Sequence, residues 1–239
     1  MIKILAIGNS FSQDATRYLE PIARSAGEDW LVRNAYIGGC SLETHWANAR
    51  SGACVYEYQM DAESLGMISL EDALKAEEWD FVTLQQVSHL SGQPETWLPY
   101  LDDLAAFVKK LAPKAEIVLH ETWAYEHDSD HGGFANYGKN QKTMHEAIVK
   151  TVRHFSDTRH LRIIPVGEAV ANLRKRPEFD PERGGLRLTR DGFHLSYDYG
   201  RYLAALVWFA FFSGRPASSV PFVPEGSNPY LSSLVKNTL

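Results

Sequence analysis

Cysteine is scarce in this chain: 239 residues hold only Cys40 and Cys54. Two thiols do not make a disulfide framework, so free thiols in a reducing compartment are expected. A long apolar run is also missing. The most apolar stretch, residues 203–212, is far shorter than the ~20 residues that cross a bilayer. It reads as a buried helix, and no membrane partner is expected. Nor is there a basic block. Arg174-Lys175-Arg176 is a short solvated cluster, and 24 basic against 30 acidic residues leave a net charge of −6. Such a chain is not suited to non-specific nucleic-acid binding. No charged segment, apolar core or small-residue cleavage site precedes Ile2-Lys3-Ile4-Leu5-Ala6-Ile7, so a cytoplasmic protein is expected. Internal repeats and low-complexity linkers are absent too.

The chain does have enough apolar content, 44%, for one sizeable core. One domain over residues 1–239 is expected, with residues 216–239 a Pro-, Ser- and Gly-rich extension packing back on it. β-Branched runs predict strands at 2–7, 31–36, 81–84, 116–120 and 161–166. Periodicity and stop signals predict helices at 15–26 (Gly27 beyond), 96–111 (Pro113 beyond), 141–155 and 199–213 (Gly214 and Pro216 beyond). Shorter helices are expected at 42–49, 70–77 and 230–235. Strands alternating with helices imply right-handed βαβ units. The expected fold is α/β, a flavodoxin-like three-layer α/β/α sandwich around a mainly parallel five-stranded sheet.

Two short motifs near opposite ends carry the chemistry. Gly8-Asn9-Ser10-Phe11-Ser12 follows the first strand, at the carboxyl edge where open α/β sheets bind ligands. Its serine is either a helix cap or a nucleophile beside unpartnered backbone N–H groups. Ser12 is also placed to cap, which would free Ser10. Asp191-Gly192-Phe193-His194 precedes the last long helix. A turn there brings the carboxylate to the histidine Nδ1 and leaves Nε2 to take a proton from a serine. The plainer reading is a capped turn with a surface histidine.

Together these motifs resemble the SGNH/GDSL hydrolase family, in particular its carbohydrate esterase-like members. The family's Gly-Asp-Ser block appears as Gly8-Asn9-Ser10 and its Asp-x-x-His block as Asp191-Gly192-Phe193-His194. Its oxyanion-hole glycine after the second strand is matched by Gly39 of Asn34-Ala35-Tyr36-Ile37-Gly38-Gly39. The Gly-x-Asn block is missing: Phe81-Val82-Thr83-Leu84 runs into Gln85-Gln86-Val87-Ser88-His89. Some sugar O-acetylesterases of related fold carry a glutamine near this point. The resemblance therefore implies a Ser10–His194–Asp191 triad, with an oxyanion hole from the Ser10 and Gly39 N–H groups and the Gln86 side chain. Gln85 and His89 are substitutes for Gln86. An acyl-enzyme route through these groups needs no cofactor and no metal.

The implied substrate is a small-molecule or oligosaccharide ester, and an acetyl ester of a carbohydrate is expected first. Aromatic faces stack on sugars, and Trp46, Trp97, Trp123 and Tyr125 all follow strand ends. Asn9, Trp46, Gln85, His89 and Trp123 are the candidate substrate-binding residues, although such tryptophans can equally be core. Residues 125–137 are too polar for a lipase lid. His120, His127 and His131, with Asp128 and Asp130, form no His-Glu-x-x-His metal motif and read as a solvated loop. Two other functions compete: a flavodoxin-like protein cradling a flavin phosphate on Ser10 and Ser12, and a catalytically weak sugar-binding protein of the same fold.

Overall fold

Buried apolar runs and helices alternate along the chain, as the patterning predicts. The computed structural model describes residues 1–239. Its elements are β1 (Ile2–Gly8), α1 (Ser10–Thr16), α2 (Leu19–Ser25), β2 (Trp30–Tyr36), α3 (Leu42–Ser51), β3 (Tyr56–Met60), β4 (Glu63–Ile68) and α4 (Leu70–Lys75). There follow β5 (Phe81–Leu84), α5 (Tyr100–Leu111), β6 (Glu116–His120), α6 (Gln141–Arg159), β7 (Arg162–Ile164), α7 (Val166–Leu173), α8 (Tyr199–Ser213) and α9 (Pro229–Lys236).

The sheet has seven strands in the order β4-β3-β2-β1-β5-β6-β7. The five expected strands are present and form its parallel part. The five-stranded expectation is corrected at one edge, where β3 and β4 add an antiparallel hairpin. Asp61 and Ala62 turn this hairpin at φ 49° and 64°. Two successive left-handed residues make a primed turn, whose usual sequence signal is Asn-Gly or Asp-Gly. Here alanine takes the second place, and the mostly exposed β4 lacks a buried alternation. Both usual signals were therefore missing.

The expected helix 15–26 is two helices, broken at Arg17-Tyr18. Pro21 in α2 has no N–H to give the Arg17 carbonyl, and its ring would crowd it. The helix expected from residue 96 starts at Tyr100, after Pro99.

The β1–α1–α2–β2 connection runs one way along the sheet and β5–α5–β6 the other. Right-handed crossovers then place their helices on opposite faces. Accordingly α1, α2 and α7 pack on α8, whereas α3 and α4 pack on α5. The strand order reverses between β1 and β5, and the carboxyl ends of these strands open the crevice where such sheets take ligands. α8 runs through the core, with its stretch from Tyr202 to Phe209 buried. The C-terminal segment returns onto it: α9 packs against α8, and the Asn228 N–H donates to the Tyr199 hydroxyl at 2.8 Å. No helix is long and apolar enough to cross a membrane, and both cysteines are free.

Candidate active site

The turn after β1 is built so that a helix starts almost at once. A Cβ on Gly8 would lie 2.5 Å from Ser12 Oγ and 3.1 Å from Gln85 Cδ, so no larger residue fits unless α1 moves. Asn9, not Ser12, caps α1: its Oδ1 accepts the Phe11 N–H at 3.0 Å. The Asn9 amide also donates to the Cys40 carbonyl at 3.0 Å and pins the glycine loop after β2 to the serine turn. The Ser12 hydroxyl instead donates toward Asn9 O at 2.8 Å and Asn34 Oδ1 at 2.9 Å. Ser10 is left with no capping duty. Behind it, Phe11 stacks on Trp123 with ring centroids 4.0 Å apart.

The other end of the chain arrives beside this turn. His194 Nε2 lies 2.8 Å from Ser10 Oγ, and His194 Nδ1 lies 2.6 Å from Asp191 Oδ2. Gly192, at φ 88°, gives the loop its tight turn. Asp191 Oδ1 also accepts the backbone N–H groups of Phe193 (3.2 Å) and His194 (2.8 Å). Burial opposes ionisation of Asp191, but the hydrogen bonds from His194 and the two amides outweigh it and hold the carboxyl below its usual range. A carboxylate therefore faces Nδ1, fixing the proton there and leaving the Nε2 lone pair toward the serine.

Two backbone donors near the serine are unspent. The Ser10 and Gly39 N–H groups have no partner among the chain's hydrogen bonds. Gly39 stands at φ 63°, a conformation that costs other residues about 1–2 kcal/mol. Next to it, Cys40 is no rival nucleophile, because burial pushes its thiol up to about 12.

Gln86 does not supply the third donor. Its Nε2 donates to Thr96 O (2.9 Å) and Thr96 Oγ1 (3.2 Å), and its Oε1 accepts from Leu42 N (3.0 Å) and Val87 N (2.8 Å). The amide braces the β5 end against α3 and is absent from the walls of the serine cavity. Gln86→Ala is expected to lower stability by about 1–3 kcal/mol through unpaired buried groups, read as a fall in Tm; an unchanged Tm would show that the amide is no structural brace.

Three of the other expected substrate contacts are corrected as well. Gln85 is buried, donating to Asn9 Oδ1 at 2.9 Å while its Oε1 meets His120 Nδ1 at 2.7 Å. Trp123 is fully buried behind Phe11, its indole N–H on Phe193 O at 2.7 Å. Trp46 packs edge-on against Phe107 of α5. Trp97 and Tyr125 are core residues too.

The cavity beside Ser10 holds about 190 Å³, bounded by Asn9, Gly39, Val87, His89, His131 and His194 among others. Asn9 and His89 thus lie where expected. His131, expected in a solvated loop, also lines the cavity; the place of that loop after β6, at the carboxyl edge, is the sequence signal that points there. His131 Nδ1 accepts the Gly133 N–H at 3.0 Å, so its proton sits on Nε2. His89 makes no ring hydrogen bond within the chain, and Gly133 leaves its Cβ just enough room. Burial lowers the pKa of both imidazoles, and each is also near another histidine. Both are neutral near pH 7. No three His, Cys, Asp or Glu side chains group to hold a metal. A larger cleft of about 490 Å³, between Lys3, Trp79 and Lys114, lies at the amino ends of the strands and contains no nucleophile–base pair.

The family described as "Domain of unknown function (DUF4886)" matches residues 3–239. The chain belongs to the DUF4886 family. A DUF4886 protein from Bacteroides uniformis ATCC 8492 is 36% identical, with a TM-score of 0.91 over 99% of this chain and 92% of that one. Beyond DUF4886, the fold is that of SGNH/GDSL hydrolases. A candidate SGNH hydrolase from Slackia heliotrinireducens is 22% identical, with a TM-score of 0.59 over 88% of this chain and 98% of that one. The acetyl xylan esterase AlAXEase is 17% identical, with a TM-score of 0.57 over 87% of this chain and 99% of that one. A comparison with functionally curated proteins yields no match.

Proposed function

We propose that this DUF4886 protein is a serine esterase that removes short acyl groups, acetyl foremost, from a polar alcohol such as a sugar. The observation that carries the proposal is the unbroken line Ser10 Oγ–His194 Nε2 at 2.8 Å and His194 Nδ1–Asp191 Oδ2 at 2.6 Å, joining residues from opposite ends of the chain. A histidine needed only to satisfy a turn has no reason to meet the one serine of the first β–α turn whose hydroxyl finds no partner within it.

In this reading Ser10 Oγ attacks the ester carbonyl while His194 Nε2 takes its proton. Asp191 stabilises the imidazolium and keeps its orientation. The N–H groups of Ser10 and Gly39 receive the oxyanion. His194 then protonates the leaving alcohol, and water repeats the sequence on the acyl-enzyme. His89 takes the role once expected of Gln86, since its neutral ring lies on the cavity wall with no partner in the chain. His89→Ala is then expected to lower kcat about 10²–10³-fold with little change in KM. A rise in KM alone would make His89 a binding residue.

Cavity size supports the short acyl group: about 190 Å³ is small beside the ~300–1,000 Å³ of sites for drug-sized ligands. The case for a sugar rests on the polar imidazole walls and on the fold shared with an acetyl xylan esterase; the buried tryptophans no longer contribute to it. The test is acetate release from acetylated xylo-oligosaccharides, with an aryl acetate and a long-chain aryl ester in parallel. Ser10-dependent acetate release from the sugar is expected. Cleavage of the aryl acetate alone would discard the sugar, and preference for the long chain would discard the short acyl group.

A further inference from the structure

Asp14 lies one helical turn beyond Ser10 on α1 and is fully buried. Its carboxylate takes four hydrogen bonds from three donors at the far end of the chain. Arg190 Nη1 reaches both oxygens, at 3.0 and 3.1 Å. Arg201 Nε of α8 donates to Oδ1 at 2.7 Å, and the Leu195 N–H donates to Oδ2 at 2.8 Å. Leu195 directly follows His194. Arg190 closes the same loop from its other side: its backbone N–H donates to His194 O at 2.9 Å, and its guanidinium to Leu195 O. The Arg190 and Arg201 guanidinium groups both lie over the Tyr197 ring, at 5.0 and 4.7 Å.

These bonds bracket His194. One residue after it is held by a carboxylate on the helix that presents Ser10, and its own carbonyl is held by Arg190. Asp191 fixes the imidazole only within its own loop, because both residues belong to one short turn. The turn's other ties, Phe193 O to the Trp123 indole N–H (2.7 Å) and Gly192 O to the Glu126 N–H (2.8 Å), run to the segment after β6 and reach α1 only through the stacking of Trp123 on Phe11. A buried ion pair is also a weak device for stability alone, since taking the charges out of water offsets most of their attraction.

We propose that Asp14 is a positioning residue: through Leu195, Arg190 and Arg201 it sets the register of the His194 loop against α1, and so the alignment of His194 Nε2 with Ser10 Oγ. The proposal rests on the esterase reading for its kinetic consequence but not for its structural one. In Asp14→Asn the loop is expected to keep its internal Asp191–His194 bond and to drift from α1. A displacement of about 1 Å is enough to lower turnover ~10²-fold.

The test is a double-mutant cycle read by NMR and by kinetics. In the wild-type background, Ser10→Ala should shift the His194 ring resonances, because the two groups touch. In the Asp14→Asn background, the same change should leave those resonances nearly unmoved. On an aryl acetate, Asp14→Asn should lower kcat ~10²-fold with KM little changed, and Asp14→Glu should not restore it. Arg190→Lys, which keeps the charge but changes the placement of the donor, should move both readouts in the same direction by less, and it serves if Asp14→Asn fails to fold. A lower Tm combined with a wild-type response of His194 to Ser10→Ala would overturn the proposal and leave Asp14 a fold residue. The NMR arm decides this even if the chain hydrolyses no ester. Absent turnover in the wild-type protein, with a His194 response to Ser10→Ala that is present there and lost in Asp14→Asn, would count against the esterase reading alone.

Discussion

Ser10→Ala should lower kcat on an activated acetate by roughly 10⁵–10⁶-fold, and His194→Ala should lower it about as much. In the proposed mechanism attack and proton removal are one event. Without Oγ there is nothing to acylate, and without Nε2 the hydroxyl stays protonated. The two losses should not add in the double variant, because each already removes the whole covalent route. Asp191→Asn should cost less, roughly 10⁴-fold. Its Oδ1 can still accept the Phe193 and His194 N–H groups, but an amide facing Nδ1 favours the wrong tautomer. Thermal unfolding should be little changed in Ser10→Ala, since the capping of α1 falls to Asn9. Wild-type hydrolysis in either the Ser10 or the His194 variant would remove the triad.

The second large effect concerns stability and arises away from the serine. Glu121, just past β6, is buried, and its Oε1 accepts the Glu168 N–H at 2.8 Å, in the first turn of α7. Burial raises its carboxyl from 4.5 to about 7, against the opposing pull of the Glu168 amide. The folded protein therefore holds this proton more tightly than the unfolded chain does. The stabilisation is complete below pH 4.5, falls as pH rises toward 7 and is gone above that. Over that range the loss is on the order of 3 kcal/mol. Glu121→Gln keeps an acceptor for the Glu168 amide and removes the charge. Chemical denaturation of the two proteins should agree near pH 4 and diverge by pH 8, with the glutamine variant more stable by on the order of 3 kcal/mol. Asp61, raised by burial to about 6, contributes in the same direction, but it is common to both proteins and cancels in the difference. A gap independent of pH would show that Glu121 is not protonated in the folded state.

What the sequence made legible follows from what is local. The five parallel strands carry their own apolar signal, and α8 matches its expected span, residues 199–213, because Gly214 stops it in the left-handed conformation. Ser10 and the Asp191–His194 turn were readable because strand end, turn and spacing are local too. The hairpin β3–β4 was not, since one strand is largely exposed and its turn uses Ala62. α7 was hidden because the apolar run of β7 continues into Val166, which opens the helix. The glutamines mark the clearest limit. Gln85 and Gln86 are neighbours of the same chemical type, yet one reaches Asn9 and His120 and the other Thr96 and Leu42. An amide's partners are set by tertiary placement, which no spacing in the chain encodes. The same holds for Trp123, whose stacking on Phe11 makes it a support for the serine turn rather than a platform for substrate.

The most direct test of the central claim is intact-mass and peptide mass spectrometry after exposure to a fluorophosphonate. If Ser10 is a nucleophile activated by His194, the protein takes up one phosphonyl group, located on Ser10, and His194→Ala reacts far more slowly. An unmodified protein, or labelling that persists at another residue in Ser10→Ala, would contradict the account.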